Sequence, residues 1–363
     1  MYFLFAGLSA ILLLSGFTVF RLITLKLPDK GVNLSREGLA RAKNVHADKY
    51  ANEKLKKAEQ LFNDAINEWR IQNDKLFIFR NFSKTIELAD SSLKFSTDAR
   101  KNAGKQKNNI KIELEKELKD VADKLNRFEK HLKELPFDRE IFDNYNSAKL
   151  KYLEAEDIYK NGDLQKSLIL ATLANEKATQ AVSGSMLNLE NYFENYLTWE
   201  KNTDYAVQLS RNGAVTILVN KMESEVTVLK SGKAVKIFKA EFSPNWLGDK
   251  IMRGDRKTPE GIYKVVEKKK GKDTKYHKAL LLNYPNQEDR IRFENLIKSG
   301  DLEKNAQIGG LIEIHGGGGR GIHWTDGCIA LTNKEMDMVF DLCKVSTAVI
   351  IIGSGKNFEE YFN

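Results

Sequence analysis

Cysteine is nearly absent: Cys328 and Cys343 are the only two in 363 residues, and neither sits in a CxxC or any zinc-ligand spacing. That excludes a disulfide-built scaffold, a zinc ribbon and a thioredoxin-type redox motif. No metal or other cofactor is expected. Proline is scarce in the first half, where Pro136 stands alone with four glycines between Val32 and Glu200, so little there interrupts long helices. Blocks of like charge are missing too. The basic excess, net +8 with pI near 9.1, is dispersed along the chain, and no nucleic-acid-binding module is present. Such charge suits anionic polymers or surfaces as partners, and equally suits a role in solvating helices. With 42% hydrophobic and 30% charged residues the chain reads as folded rather than disordered.

What is present begins with one long apolar run. Tyr2 to Phe20, YFLFAGLSAILLLSGFTVF, holds no charge, and about 20 such residues are needed to cross a bilayer. The expectation is an uncleaved transmembrane anchor over 1–26, with a cleaved signal peptide as the competing reading. Arg21, Lys26 and Lys30 follow the run, and the positive-inside rule taken alone would keep that side cytoplasmic.

From Val32 to Glu200 apolar residues fall at helical spacing, with a weak internal repeat. Ala51, Ala58, Glu59, Leu61 and Phe62 match Ala148, Ala155, Glu156, Ile158 and Tyr159, and Leu88, Ala89 and Ala99 match Leu170, Ala171 and Ala181. Each unit is expected to form a helical hairpin, with Asn161-Gly162 stopping one helix and Asp163 capping the next. From Lys201 the grammar changes, with three prolines and seventeen glycines. The stretch AVTILVNKMESEVTVLKSGKAVKIFKAEFS predicts a strand meander. GIYKVVEKK, HKALLLNY, GLIEIHG and TAVIIIG add strands, and NKEMDMVFDLCKV predicts a helix with Asn333 as N-cap and Cys343 in its apolar stripe.

One segment concentrates chemistry. IEIHGGGGRGIHWTDGCIALTN brings His315, His323 and Cys328 into a glycine-rich run between apolar segments. A thiolate attacks a carbonyl well when an imidazole takes its proton and backbone N–H groups await the oxyanion. His315 ends a predicted strand, and Gly327 precedes the cysteine, where a missing side chain lets backbone and substrate approach the sulfur. A lone buried cysteine is more often a small apolar residue, but the surrounding glycines argue against a core.

These residues resemble the L,D-transpeptidase catalytic domain (YkuD-like) family. Its signature places a histidine after a strand, then a glycine-rich loop, then Ser/Thr-x-Gly-Cys, here His315-Gly316, Gly317 to Trp324, and Thr325-Asp326-Gly327-Cys328. A second block, Gly254 to Tyr263, resembles G-x-x-x-TP-x-G-x-[FY], and LNYPN and GCIALTN resemble one branch of the family. The resemblance covers roughly Ala214 to Gly353.

It implies an enzyme acting on peptidoglycan stem peptides. Cys328 would be the nucleophile forming a thioester and His315 its general base, oriented by the Gly316 backbone, with the amides of Asp326, Gly327 and Cys328 as oxyanion donors. Arg320, Trp324, Thr325, Arg253 and His323 are the substrate-binding candidates. Asp326 stands where many members have His, beside the thiol or free to orient an imidazole, and Ala330 stands where many have Arg or Asn.

The expected fold is therefore α+β and multidomain: a transmembrane anchor over 1–26, an α-helical bundle or helical-repeat stalk over 27–200, and a mainly β catalytic domain over 201–363. The expected activity is L,D-transpeptidation by a membrane-anchored envelope enzyme whose catalytic domain faces outside the cytoplasm. A carboxypeptidase or amide hydrolase, acting on stem peptides or on peptidoglycan-linked protein, is the alternative within the same chemistry. A non-catalytic peptidoglycan-binding scaffold, with the helical region engaging an envelope protein, is the alternative outside it.

Overall fold

A computed structural model describes residues 15–362. The transmembrane expectation is corrected by it. No helix among the described residues is long and apolar enough to cross a membrane. Residues 2–14 of the apolar run lie outside the described residues, and the described remainder, helix α1 over residues 15–24, carries Arg21.

The chain divides into two compact units, one running through Lys119 and including Leu153–Thr172, the other comprising Asp120–Tyr152 and everything from Leu173 onward. Helices α2 (Asp29–Asn44), α3 (Ala47–Tyr50) and α4 (Asn52–Asn73) belong to the first. The three long helices α5 (Ser83–His131), α6 (Arg139–Lys160) and α7 (Leu164–Phe193) contribute to both.

Within the first unit, α5 buries Thr85, Ala89, Ser92, Ser96, Ala99 and Ala103 at alternating steps of four and three residues. That spacing lays small side chains along one face, where neighbouring helices approach closely. Buried serines there need partners: Ser92 Oγ donates to the Ala58 carbonyl at 2.7 Å, and Ser167 Oγ to the Ala155 carbonyl at 2.7 Å. Ala58 and Ala155 are matched positions of the sequence repeat. Gly162 adopts φ +87°, and Asp163 accepts from the Lys166 N–H at 3.2 Å, the expected stop and cap.

In the second unit α8 (Tyr196–Arg211) follows α7 and docks on the sheet. The strands are β1 (Thr216–Asn220), β2 (Glu225–Lys230), β3 (Lys233–Lys239), β4 (Gly261–Lys270), β5 (Lys278–Leu282), β6 (Glu313–His315), β7 (Ile329–Ala330) and β8 (Ala348–Ile352). They form one sheet in the order β3-β2-β1-β8-β4-β5-β6-β7. Central β8, AVIII, is apolar throughout because both its faces are covered. One face packs with Val219, Val265, Leu280, Ile314, Ile329 and Val339, and the other meets Tyr192, Phe193 and Trp199.

A bulge between Val265 and Glu267 lets β4 pair with β8 at one end and β5 at the other, which curls the sheet. Just beyond β3, Glu241 bridges Ala330 of β7, joining the two sheet edges. Helix α9 (Gln287–Ser299), capped by Asn286 and Asp289, was not anticipated. Helix α10 (Asn333–Leu342) is capped by Thr332 rather than Asn333, with Glu335 completing a capping box. Cys343 lies buried at its end, and both cysteines are free.

The contact between α8 and the sheet is polar at its centre. The Lys221 ammonium, fully buried, sits 2.7 Å from Glu260 and donates to the Gly248 and Thr258 carbonyls. Glu260 also accepts from Tyr192 OH at 2.7 Å and Trp199 Nε1 at 2.9 Å. Gly353 permits this approach, since a Cβ there would lie 2.3 Å from the Trp199 ring. Losing one partner of such a pair strands a buried charge and costs about 3–5 kcal/mol. Lys221→Met is expected to lower stability by that order in urea unfolding, and Lys221→Met/Glu260→Gln to recover part of it.

Asp249 accepts from the Glu260 N–H and pairs with Arg292 at 2.7 Å. Burial and the Glu260 charge raise its carboxyl from 3.8 to about 7. Between these values the folded chain keeps a proton that the unfolded chain releases, so this group's contribution to stability falls as pH rises through that window. Asp249→Asn is expected to flatten the slope of stability against pH between about 4 and 7.

Candidate active site

Strand register sets the histidine and the cysteine on one face of the sheet. Parallel pairing sets Ile314 beside Ile329 and His315 beside Ala330. One step back along both strands, Cys328 falls beside Glu313. Since alternate residues share a face, His315 projects on the side of Glu313 and therefore of Cys328.

Cys328 is half-buried, and its Sγ lies 3.6 Å from the Leu311 carbonyl. The turn before it is held from within: Thr325 Oγ1 donates to the Cys328 carbonyl at 2.7 Å, and the Gly327 N–H reaches Thr325 Oγ1 at 3.4 Å. Gly327 adopts φ +114°, and a Cβ there would sit 2.6 Å from the Lys257 carbonyl oxygen. Only glycine fits that position.

His315 is fully buried, with Nδ1 2.7 Å from the Gly316 carbonyl. A carbonyl only accepts, so Nδ1 carries the proton and Nε2 of the neutral ring is the basic nitrogen. Nε2 is buried with no protein partner among the described residues. Burial lowers the imidazole pKa, and the Gly316 bond opposes that shift in part. Burial likewise pushes the Cys328 thiol up to about 11; the Glu313 backbone and the Lys275 charge pull against it, and the Asp326 and Glu313 charges add to it. Burial thus disfavours the charged form of each group.

Two aromatic rings flank the imidazole. Tyr276 stacks on it at 3.5 Å between centroids and 8° between planes, and Trp324 meets it edge-on at 5.7 Å. Trp324 Nε1 donates to Glu241 at 2.8 Å, and the other Glu241 oxygen takes the Gly321 N–H at 2.7 Å. Glu241 thereby ties down the glycine-rich loop. Arg320 is exposed, its guanidinium 3.5 Å from the Trp324 ring centroid.

The remaining sequence candidates are placed as follows. His323 Nδ1 accepts from the Phe242 N–H at 2.9 Å, and burial lowers its pKa, which suits a neutral acceptor clamping the loop. Asp326 points outward and pairs with Arg256 at 3.2 Å rather than with an imidazole. Arg253 binds the Gln307 side chain at 3.1 Å and packs beside Gly309, two residues before Leu311. Asn333 Oδ1 takes the Gly317 N–H at 2.8 Å, which explains its release from capping.

Tyr276, Lys275 and Glu241 were missed. Tyr276 meets His315 through the antiparallel pairing of Ala279 with His315. Nothing in the string KYHK announces that register.

Residues 214–351 match the family described as YkuD, L,D-transpeptidase catalytic domain. The chain is 27% identical over 147 residues to the putative L,D-transpeptidase YafK of Escherichia coli K12, covering 40% of this chain and 49% of that protein. It thus spans about half the length of the curated relatives it matches. Among solved structures, Bdellovibrio bacteriovorus Bd1075 is 23% identical over 41% of this chain and 52% of its own, with a TM-score of 0.31. An L,D-transpeptidase from Xylanimonas cellulosilytica is 13% identical over 39% and 61%, with a TM-score of 0.26.

A thiol held near 11 makes a clear kinetic statement. Alkylation of Cys328 by iodoacetamide, followed by peptide mass spectrometry, is expected to rise about tenfold per pH unit from 7 to 10. A plateau reached by about pH 7 would instead reveal a preformed thiolate.

Proposed function

We propose that the L,D-transpeptidase catalytic domain formed by residues 214–351 transfers acyl groups of peptidoglycan stem peptides through a thioester on Cys328. The observation that carries this reading is the tautomer of His315: with Nδ1–H committed to the Gly316 carbonyl, an unpartnered Nε2 is the base on the face it shares with the thiol. Such a reaction belongs on the side of the cell envelope where peptidoglycan lies, and a net charge of +8 favours approach to anionic wall polymers.

The steps follow from these positions. Nε2 takes the Sγ–H proton as sulfur attacks the carbonyl of the third stem residue. Negative charge moves to the carbonyl oxygen, to be met by the amides of Asp326, Gly327 and Cys328. As the tetrahedral intermediate collapses, the C–N bond breaks and His315 protonates the departing D-amino acid. An amine acceptor then gives its proton to His315, attacks the thioester and releases the thiol, leaving a new peptide bond. Because the resting thiol is neutral, the base is required at the moment of attack.

Arg320, Trp324 and Arg253 are assigned to substrate, Trp324 for its place beside the imidazole and the arginines for their charge. Thr325 and His323 are assigned to positioning, since the Thr325 hydroxyl braces the Cys328 turn and His323 braces the loop. The hydrolytic reading differs in the last step alone, with water replacing the amine.

Incubating the full chain with disaccharide-tetrapeptides and analysing the products by mass spectrometry tests the proposal. Cross-linked dimers are expected from the intact protein and not from Cys328→Ala. Tripeptides without dimers would identify water as acceptor, and no product with either would sink the thioester reading. His315→Ala is expected to slow thioester formation by about 10²–10⁴. The acid limb of kcat/KM is expected below 6.5, the imidazole's ordinary value, with activity lost as pH falls through the lowered pKa.

A further inference from the structure

Leu311 stands in a conformation that leucine rarely takes. Its φ is +59°, in the left-handed region where a Cβ crowds the following carbonyl oxygen. The side chain does nothing to offset that cost, since it is 74% exposed. The backbone does more. Directly after Leu311 the chain turns inward, Ile312 is buried, and its carbonyl takes the Leu282 N–H at 2.9 Å. A strained residue kept beside a nucleophile points to a task for its backbone.

That task is visible at the sulfur. Cys328 Sγ donates to the Leu311 carbonyl at 3.6 Å, a length that the larger sulfur atom allows. Strand alternation explains the meeting. Ile312 bonds toward β5 and Gly316 does the same through the Lys278 carbonyl, while the His315 carbonyl takes the Leu331 N–H on the β7 side. Leu311 and Glu313 therefore also face the β7 side. In a parallel ladder the carbonyl of one residue and the N–H two residues on serve the same neighbour. The Glu313 backbone does act on the thiol, in the direction an N–H donor gives. The Cys328 side chain thus sits where a backbone unit of a longer β7 would pair. Meanwhile His315 Nε2, fully buried, has no partner among the described residues, the sulfur included.

We propose that Leu311 is a positioning residue whose left-handed backbone parks the Cys328 thiol on the edge of β6, away from His315 Nε2. To reach the base, the side chain rotates about its Cα–Cβ bond, and the S–H exchanges the Leu311 carbonyl for the imidazole nitrogen. No covalent bond changes in that move. The attack that follows rests on the thioester reading; the parked thiol does not.

The infrared S–H stretch of Cys328 reads its acceptor, because the band falls in frequency as the hydrogen bond strengthens. It is recorded on the full chain and assigned by its loss in Cys328→Ala, which leaves the Cys343 band. In His315→Gln the band is expected to stay in place, since the imidazole is not the acceptor. A shift to higher frequency there overturns the proposal.

Two substitutions at Leu311 separate its backbone from its side chain. Asparagine tolerates positive φ, and β-branched valine does not. Leu311→Asn is expected to keep both the band and the rate at which iodoacetamide labels Cys328 at about pH 8. Leu311→Val is expected to raise the band frequency and to speed labelling about fivefold, because a thiol without its carbonyl acceptor ionises more readily. Equal bands in the two variants overturn the proposal. Buried Cys343 controls for unfolding: if it labels in Leu311→Val, that variant is set aside and His315→Gln decides.

Cross-linked muropeptides from the intact chain together with a shifted band in His315→Gln would overturn the parked thiol and keep the thioester. An unmoved band with no muropeptide product would do the reverse.

Discussion

Lys221 carries an ammonium into a place that solvent does not reach, and the groups around it are arranged to answer that charge. Glu260 neutralises it, the Gly248 and Thr258 carbonyls take its remaining protons, and Tyr192 and Trp199 fill the other lone pairs of the carboxylate. The contributors come from five places in the chain: the turn after β1, the loop at Gly248, the stretch before β4 that holds Thr258 and Glu260, the end of α7 and the start of α8. A buried pair is not a cheap source of stability. Its consequence is specificity, because any other seating of α8 on the sheet would leave one of these groups unpaired.

That constraint bears on the catalytic side of the sheet through connected backbone. Thr258 and Glu260 sit on the segment whose Lys257 carbonyl crowds Gly327, one residue before the thiol. The same segment supplies Arg256, which pairs with Asp326, and Ser243 donates its hydroxyl to the Arg256 carbonyl. The cysteine turn is thereby walled on one side by a strand connection whose own position is set by the buried pair. On the other side β5, β6 and β7 fix His315, and Glu241 fixes the loop between histidine and cysteine.

Electrostatically the site is held in reserve. Burial disfavours both the thiolate and the imidazolium. The ring of Tyr276 covers one face of the imidazole. A resting thiol of this kind resists adventitious oxidation and alkylation.

The sequence by itself determined that a helical first part gives way to a β-rich second part, most of the strands there and the helix at Asn333–Leu342. Those follow from local patterning: proline and glycine distribution, apolar periodicity, and the order of a few motif residues. Local patterning misled where hydropathy alone was in play, since the long apolar run suggested a membrane span and the described helices contain none. Tertiary structure alone decided which groups meet. Tyr276 above His315, Lys275 and Arg320 on the outer rings, Glu241 holding the loop, and Asp326 turned away to Arg256 all depend on strand register and crossing connections. Register is a property of pairs of distant segments, and no stretch of one strand records which residue of another will lie beside it.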